Sequence, residues 1–319
     1  MASRSMSSVG AAEAAELMPD RYNRERFGPG ALLADIGLVL GFRGPRPGEP
    51  APEFELADAA GRSWRLNELR GRPVVLIFGS GTCPATLGAL PSLKEVYRAL
   101  GDRAVWLFVY VREAHPGEGM SWHRSYQQKV RQAEEFREGE NVPWPVLIDD
   151  IDGSVHRAYG MLPNAVFLID VDGQVAFRGD RAHGPTLRRA LEELLERGGH
   201  GPVAGGVDHG IHPLGSIVYG WDALRRGGRA AVRDVVIGTP PAAAVLWLGD
   251  KLEPILGPLV RRDRHLLPRG ARIAAAVAGL AGVALLGWRA VQRSRDAQRR
   301  GASRLTFWPR RSSRRVRRR

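Results

Sequence analysis

The chain of 319 residues contains a single cysteine, Cys83, and this scarcity limits its chemistry. One cysteine excludes an intramolecular disulfide and argues against a metal site built from several thiolates. Lysine is also scarce, because only Lys94, Lys129 and Lys251 occur among the 47 basic residues. Residues 1–33 lack an uninterrupted apolar stretch of signal-peptide length, which argues against ordinary secretion and favours a cytoplasmic catalytic domain.

Net positive charge is confined almost entirely to one end of the chain. Thirteen arginines and one acid, Asp296, lie in residues 289–319, so this tail accounts for almost all of the net charge of +13. Such a tail suits anionic lipid headgroups or nucleic acid. The apolar segment that precedes it favours lipid, and we expect no nucleic-acid partner. A solvated tail without a partner is the third alternative.

No apolar run reaches the usual length of a membrane span. Residues 273–288 carry no charge, but as a helix they would cover about 24 Å of a hydrocarbon layer of roughly 30 Å. Flanking arginines can extend to the headgroups, so we predict a membrane segment here. A buried helix of a soluble protein is the alternative. Residues 235–249 could form a second membrane element.

The surroundings of Cys83 are the one place where chemistry is indicated. A buried-strand pattern over residues 74–78 precedes it, and a helix-forming run begins at Pro84. A thiol at the start of a helix meets the positive end of the helix dipole, which favours the nucleophilic thiolate. Gly79 and Gly81 leave the turn open to a substrate or a small oxidant.

Strand and helix patterns alternate from about residue 50 to residue 197. An Asp-Gly turn at residues 172–173 predicts a hairpin, and an amphipathic helix over residues 185–197 follows. The pattern predicts a thioredoxin-like α/β sandwich with a C-terminal helical, membrane-associated extension. The predicted domains are an N-terminal extension (1–45), the thioredoxin-like domain (46–198), a Gly-rich linker and helix (199–233), hydrophobic membrane-associated segments (234–291) and an Arg-rich tail (292–319).

Three motifs in the thioredoxin-like part resemble the iodothyronine deiodinase family. They are Phe78-Gly79-Ser80-Gly81-Thr82-Cys83-Pro84, Val109-Tyr110-Val111-Arg112-Glu113-Ala114-His115-Pro116 and Ala158-Tyr159-Gly160-Met161-Leu162-Pro163. The chain has cysteine where the family has selenocysteine, which implies slower chemistry. Ala85 and Thr86 also depart from the family pattern, and the membrane-like segment is C-terminal instead of N-terminal.

The resemblance implies a thiol oxidoreductase that removes iodine reductively from an aromatic substrate. Cys83 would be the nucleophile, with His115 and His123 as proton donors. For Glu113 two interpretations remain open: it orients the His115 imidazole, or it is a solvated carboxylate at the sheet edge. The expected substrate-binding residues are Thr82, Pro84, Trp122 and Pro163, and the family's fold implies that Pro163 is cis and lies beside the sulfur.

No cofactor is expected other than an external thiol reductant, because Thr86 occupies the position of a resolving cysteine. The other expected partners are a small-molecule substrate and anionic membrane lipids, and a homodimer is left open. His200, Asp208, His209 and His212 cluster in the Gly-rich linker, but their spacing matches no closed ligand set, so no metal is predicted. The alternatives to a deiodinase-like enzyme are a one-cysteine thiol peroxidase and a non-catalytic, membrane-tethered interaction module.

Overall fold

The computed structural model describes residues 22–40, 43–210 and 212–261. The strands are β1 Glu55–Ala57, β2 Ser63–Arg65, β3 Val74–Gly79, β4 Val105–Tyr110, β5 Val146–Ile148, β6 Val166–Ile169, β7 Val175–Gly179 and β8 Val207–Asp208. The main sheet has six strands in the order β5-β4-β3-β6-β7-β8. The parallel pairs are β3/β4, β4/β5 and β7/β8, whereas β6 runs antiparallel to both β3 and β7. A separate hairpin is formed by β1 and β2.

Nine α-helices lie in the described ranges. They are α1 Pro29–Leu40, α2 Pro84–Leu100, α3 Tyr126–Gly139, α4 Ser154–Ala158, α5 Gly184–Glu196, α6 Pro213–Gly227, α7 Arg229–Gly238, α8 Pro240–Lys251 and α9 Glu253–Arg261.

The sheet has a hydrophobic cluster on each face, because strand side chains alternate in direction. Val75 and Ile77 of β3 join the cluster that includes residues of α2, α3 and α5. Val74, Leu76 and Phe78 join the opposite cluster. Every residue of β3 is buried, which explains its continuous apolar sequence. The predicted thioredoxin-like α/β sandwich is confirmed.

The segment before the sheet is attached through a buried arginine. The Arg112 guanidinium donates to the Tyr22 carbonyl oxygen at 3.0 Å and to the Asp35 carboxylate at 2.9 Å. Leu38 of α1 joins a core cluster of the sheet. The described part of the N-terminal extension, residues 22–40, therefore packs on the end of the sheet next to the loop that follows β4.

The Gly-rich linker contributes to the sheet. Its residues Val207 and Asp208 form β8, which pairs with Arg178 and Gly179 of β7. The helices α6 to α9 follow, and α6 packs against α2, which begins beside Cys83. The predicted helical C-terminal extension is therefore present.

Membrane-spanning structure is not found among the described residues, where no helix has the length and apolar character to cross a bilayer. Residues 235–249, predicted as a second membrane element, are divided between α7 and α8. The break falls at Thr239 because Pro240 and Pro241 cannot continue the preceding helix but suit the first turn of the next. The expected span at residues 273–288 and the Arg-rich tail lie outside the described residues.

Candidate functional site

Cys83 lies at the junction predicted for it. Strand β3 ends at Gly79, and Cys83 occupies the position immediately before α2, with Pro84 in the first turn. Its carbonyl oxygen accepts the first backbone hydrogen bond of the helix, from the Leu87 amide at 3.1 Å. The thiol is free, but only 3% of the residue is exposed. The thiol therefore lies at the N-terminal end of α2, in a site that is closed to solvent.

The turn before Cys83 is closely packed at Gly81. A Cβ there would lie 2.5 Å from the sulfur of Met120 and 3.4 Å from the Tyr110 hydroxyl. A side chain at this position would therefore have to displace Met120, whereas the sequence had suggested an open turn. Tyr110 is paired with Gly79 in the β3/β4 register, which explains how its hydroxyl comes beneath the turn.

A buried carboxylate fixes this turn. Glu113 is 3% exposed and accepts hydrogen bonds from the Thr82 amide at 2.9 Å and the Thr82 hydroxyl at 2.6 Å. The Tyr110 hydroxyl donates to its other oxygen. Both earlier interpretations of Glu113 are therefore wrong: it is not solvated, and its partner is the Thr82 turn instead of the His115 ring. The reason is that the chain after β4 folds back under the turn, which strand alternation alone does not predict.

His123 lies on the far side of the same carboxylate. Its Nε2 is 3.7 Å from Glu113 Oε1, too long for a hydrogen bond, and its ring centroid is 5.9 Å from that of Tyr110. Burial raises the pKa of Glu113, but His123, Thr82 and Tyr110 outweigh this effect and hold the pKa below its usual range. Burial lowers the pKa of His123, opposed by Glu113. Burial and the neighbouring carboxylate raise the pKa of Tyr110 well above its usual value.

The His115 ring forms no hydrogen bond or ion pair with Glu113 within the described residues. Its ring packs on Phe27 with centroids 4.2 Å apart, and its backbone amide donates to the Thr82 hydroxyl at 3.0 Å. Nδ1 is buried and makes no hydrogen bond within the described residues. Burial lowers the pKa of His115 to about 4, although Asp35, Glu113 and Asp234 oppose the shift. The imidazole is therefore uncharged at neutral pH.

The four expected substrate-binding residues differ in their accessibility. The Thr82 residue is fully buried on Glu113, so it supports the turn and has no surface for a ligand. Trp122 is half-buried, with the Arg124 guanidinium 5.6 Å from its ring centroid. Pro84 and Pro163 are also half-buried.

The predicted cis peptide at Pro163 is wrong, because no cis bond occurs in the described residues. The trans form is favoured by about 0.5–1 kcal/mol for such bonds. The chain turns instead at Gly160 and Met161, which both have positive φ. Asn164, which the sequence did not single out, donates to the Ala85 carbonyl oxygen at 3.1 Å and brings this turn to the start of α2.

The C-terminal helices pack over the start of α2. A Cβ on Gly215 of α6 would lie 2.2 Å from the Gly88 carbonyl oxygen, so the two helix backbones touch. One on Gly220 would lie 3.0 Å from the Pro84 side chain, and one on Gly227 would lie 2.4 Å from the His115 carbonyl oxygen. Helix α6 therefore lies along the predicted site and contacts it from Pro84 to His115. Its position limits access to Cys83.

Comparisons with known proteins agree with this geometry. Residues 47–178 match the model of the AhpC/TSA family. A thyroxine 5-deiodinase of Gallus gallus is 32% identical over 49% of this chain and 66% of its own length. A thyroxine 5-deiodinase of Ovis aries is 28% identical over 49% of this chain and 57% of its own length. The chain thus spans less than two thirds of the curated relatives that it matches.

Solved structures with a similar course of the backbone include the thioredoxin domain of a thiol-disulfide oxidoreductase from Bacteroides vulgatus. It is 19% identical, with a TM-score of 0.36, over 48% of this chain and 98% of that one. The exposed lipoprotein thioredoxin of Streptococcus pneumoniae is 24% identical, with a TM-score of 0.35, over 46% of this chain and 99% of that one. The thioredoxin-like half of this chain is therefore similar to the AhpC/TSA family and to the thyroxine deiodinases, and the resemblance drawn from the three motifs is confirmed.

Proposed function

We propose that the protein is a thiol-dependent oxidoreductase of deiodinase type, with Cys83 as its redox nucleophile. The observation that carries the proposal is the position of the sole thiol at the start of α2, after a turn held by the buried Glu113 carboxylate. A nucleophile needs a fixed position and a field that favours its anion. The carboxylate supplies the first and the helix supplies the second.

The proposed reaction removes iodine from an iodinated aromatic ring. The Cys83 thiolate attacks iodine, an S–I bond forms, and the electron pair of the C–I bond remains on the ring carbon. That carbon takes a proton to give the arene. One external thiol then attacks the Cys83 sulfur, so that iodide leaves and a mixed disulfide between Cys83 and this thiol forms. A second external thiol attacks the mixed disulfide and releases the Cys83 thiol. Overall, one aryl iodide and two thiols give one arene, one disulfide, iodide and a proton.

An uncharged imidazole is sufficient for the protonation step. An aryl carbanion is a much stronger base than imidazole, so His115 or His123 can supply a proton without being charged beforehand. Glu113, Thr82 and Tyr110 act by positioning in this proposal, because their side chains are buried on one another beneath the turn. Substrate must displace part of the packing around α6 before it reaches the sulfur.

The test is a single-turnover assay of the full chain with an iodinated phenol and a dithiol reductant. Iodide release is expected for wild type and not for Cys83→Ser, a change of one atom that keeps the packing. The control variant is Thr86→Ser, which alters a neighbouring buried side chain and keeps the thiol. Iodide release that survives in Cys83→Ser would refute the proposal.

A thiol peroxidase is the second candidate, because a thiol that is only 3% exposed is reached more easily by a small oxidant than by an aromatic ring. In that reaction the Cys83 thiolate attacks one peroxide oxygen, the O–O bond breaks, and the other oxygen leaves as water after taking a proton. The resulting sulfenic acid reacts with one external thiol to give water and a mixed disulfide, and a second thiol then releases the Cys83 thiol and a disulfide. Peroxide consumption that depends on Cys83, without iodide release, would favour this activity. If neither reaction depends on Cys83, the non-catalytic module is the better interpretation.

We also propose that the part of the chain after residue 261 attaches the enzyme to membranes. The support is in the sequence: sixteen uncharged residues at 273–288 are followed by an arginine-rich tail. Anionic headgroups attract arginines next to an apolar segment.

A further inference from the structure

Three side chains that bind metals in other proteins come together at the start of α6. His183 immediately precedes α5, Asp208 ends β8, and His212 immediately precedes α6. One possible ligand atom from each lies within 4.8 Å of the others. No other group of three histidine, cysteine or acidic residues in the described ranges is this close.

Strand β8 is what brings the three residues together. Asp208 pairs with Gly179 of β7, and its carbonyl oxygen accepts from the Asp180 amide at 2.9 Å. The chain then turns to His212, whose φ of +43° is uncommon for a residue other than glycine. In the sequence Asp208 and His212 fall in the Gly-rich linker and nothing connects them with His183, because a strand of two residues gives no detectable pattern.

The side chains already contact one another. His212 Nε2 lies 2.7 Å from one oxygen of Asp208, and the other oxygen accepts from the Gly210 amide at 2.8 Å. The rings of His183 and His212 are stacked, with centroids 3.8 Å apart and planes 6° from parallel. His183 Nδ1 is 2.9 Å from the Thr186 hydroxyl.

We propose that His183, Asp208 and His212 bind one divalent transition-metal ion, with Zn²⁺ as the best match, and that water completes the coordination. Two imidazole nitrogens and one carboxylate oxygen form a common zinc ligand set, with metal–ligand distances of about 2.0–2.2 Å. The ion takes the place of the proton between His212 and Asp208. Nitrogen lone pairs lie in the ring planes, so the stacked rings must splay for both to reach one ion.

Such an ion would join the sheet domain to the C-terminal helices. His183 lies between β7 and α5, whereas His212 immediately precedes α6. Helix α6 in turn lies against α2 through Gly215 and Gly88. The Ala182 amide also donates to the Asn164 carbonyl oxygen at 2.7 Å, and Asn164 in turn holds Ala85. Metal binding would therefore hold α6 against the start of α2, so we expect the Cys83 thiol to react more slowly when the metal is bound.

The experiment is a titration of the untagged, chelator-treated full chain with Co²⁺, followed by the visible absorption of the ion, and with Zn²⁺ in equilibrium dialysis. One ion per chain is expected. Affinity should fall more than tenfold in His183→Gln and in Asp208→Asn. His200→Asn is the matched control, because His200 forms a similar 2.7 Å pair with Asp172 on the exposed surface. It should bind like wild type.

Thermal melting of each variant without metal shows whether it is folded. If only one of His183→Gln and Asp208→Asn is folded, that variant alone is sufficient for the test. Two results would overturn the proposal. One is that the wild-type chain does not bind one ion per chain. The other is that His200→Asn lowers the metal affinity as much as His183→Gln and Asp208→Asn do. The second readout is the rate of Cys83 alkylation, which Zn²⁺ should slow in wild type and leave unchanged in His183→Gln. The titration does not depend on catalytic activity, so it can fail or succeed separately from the proposed enzyme function.

Discussion

At the scale of single residues, Glu113 has the largest local effect on the proposed site. Its carboxylate accepts three hydrogen bonds in a buried setting, from Thr82 and Tyr110. No water can replace these bonds, so removing the acceptor leaves buried donors without partners. The turn that carries Cys83 depends on this one side chain.

We expect Glu113→Gln to lower the free energy of unfolding by about 2 kcal/mol. Hydrogen bonds to a carboxylate become weaker bonds to a neutral amide, and the new NH2 group faces donors from Thr82 or Tyr110. The single-turnover rate should also fall, since the turn is no longer fixed. Urea unfolding measures the first effect. Glu138→Gln is the control, because that side chain is 73% exposed. Equal stability of the two variants would contradict the role assigned to Glu113.

His115 gives the fold an acid sensitivity. Its pKa in the folded chain is about 4, below the value of about 6.5 expected after unfolding. Between these two values the unfolded chain binds a proton that the folded chain does not, so stability falls as the pH falls from 6.5 to 4. The full loss is about 3 kcal/mol from this group.

The variant His115→Leu should remove this contribution and flatten the stability profile below pH 6.5. Urea unfolding at several pH values measures it. His156, whose pKa is lowered by burial to about 3, titrates in the same direction, so part of the slope should remain. His200→Asn, which changes an exposed ring, should leave the slope as in wild type. An unchanged slope in His115→Leu would show that the ring is not buried in solution.

At the scale of helices, the contact between α2 and α6 controls access to the thiol. Backbone meets backbone at Gly88 and Gly215, so even one methyl group must push the helices apart. Overpacking of this kind costs about 1–3 kcal/mol.

Gly215→Ala should therefore lower stability by that amount and speed the alkylation of Cys83 several-fold, measured by mass spectrometry after timed exposure to iodoacetamide. Gly238→Ala is the matched control, since a Cβ at this helical glycine meets nothing within 4 Å. If Gly215→Ala neither destabilises the protein nor exposes the thiol, α6 does not pack on α2 as described.

The elements that the sequence predicted well are those defined by local signals. Helix α2 begins at Pro84, as predicted, because a proline in the first turn and the apolar residues that follow mark its start. The site was predicted less well, because its contacts join distant positions: Glu113 meets Thr82 across 31 residues. Only the β3/β4 register, which places Tyr110 opposite Gly79, could have indicated that the chain after β4 lies under the turn.

At the scale of the whole molecule, the thioredoxin-like fold was predictable because its strands β3 to β6 are apolar runs bounded by turns. The packing of α6 to α9 was not, since their exposed and buried faces are decided by contacts with α2 and with one another. Val235 is buried and Ile237 is 73% exposed in the same helix. Residues 235–249 were predicted as a membrane element because composition does not distinguish a helix that packs on other helices from one that lies in lipid.

The proposed membrane attachment predicts that the full chain co-sediments with vesicles containing phosphatidylserine and less with neutral vesicles. Replacing the arginines at 310, 311, 314, 315, 317 and 318 by glutamine should reduce the bound fraction. Higher salt should do the same, because the Debye length falls from about 10 Å at 0.1 M to 3 Å at 1 M. Binding that is equal on both vesicle types would contradict a role for the tail charge.

The seclusion of the sole thiol also affects how the protein responds to oxidation. Two copies can be joined by a disulfide only if both sulfurs reach one another, and at 3% exposure neither can do so without large movements of both chains. Covalent dimers should therefore be rare even in an oxidising medium. Small thiols would reach the sulfur first, so the oxidised protein should accumulate as a mixed disulfide that remains a single chain and is readily reversed.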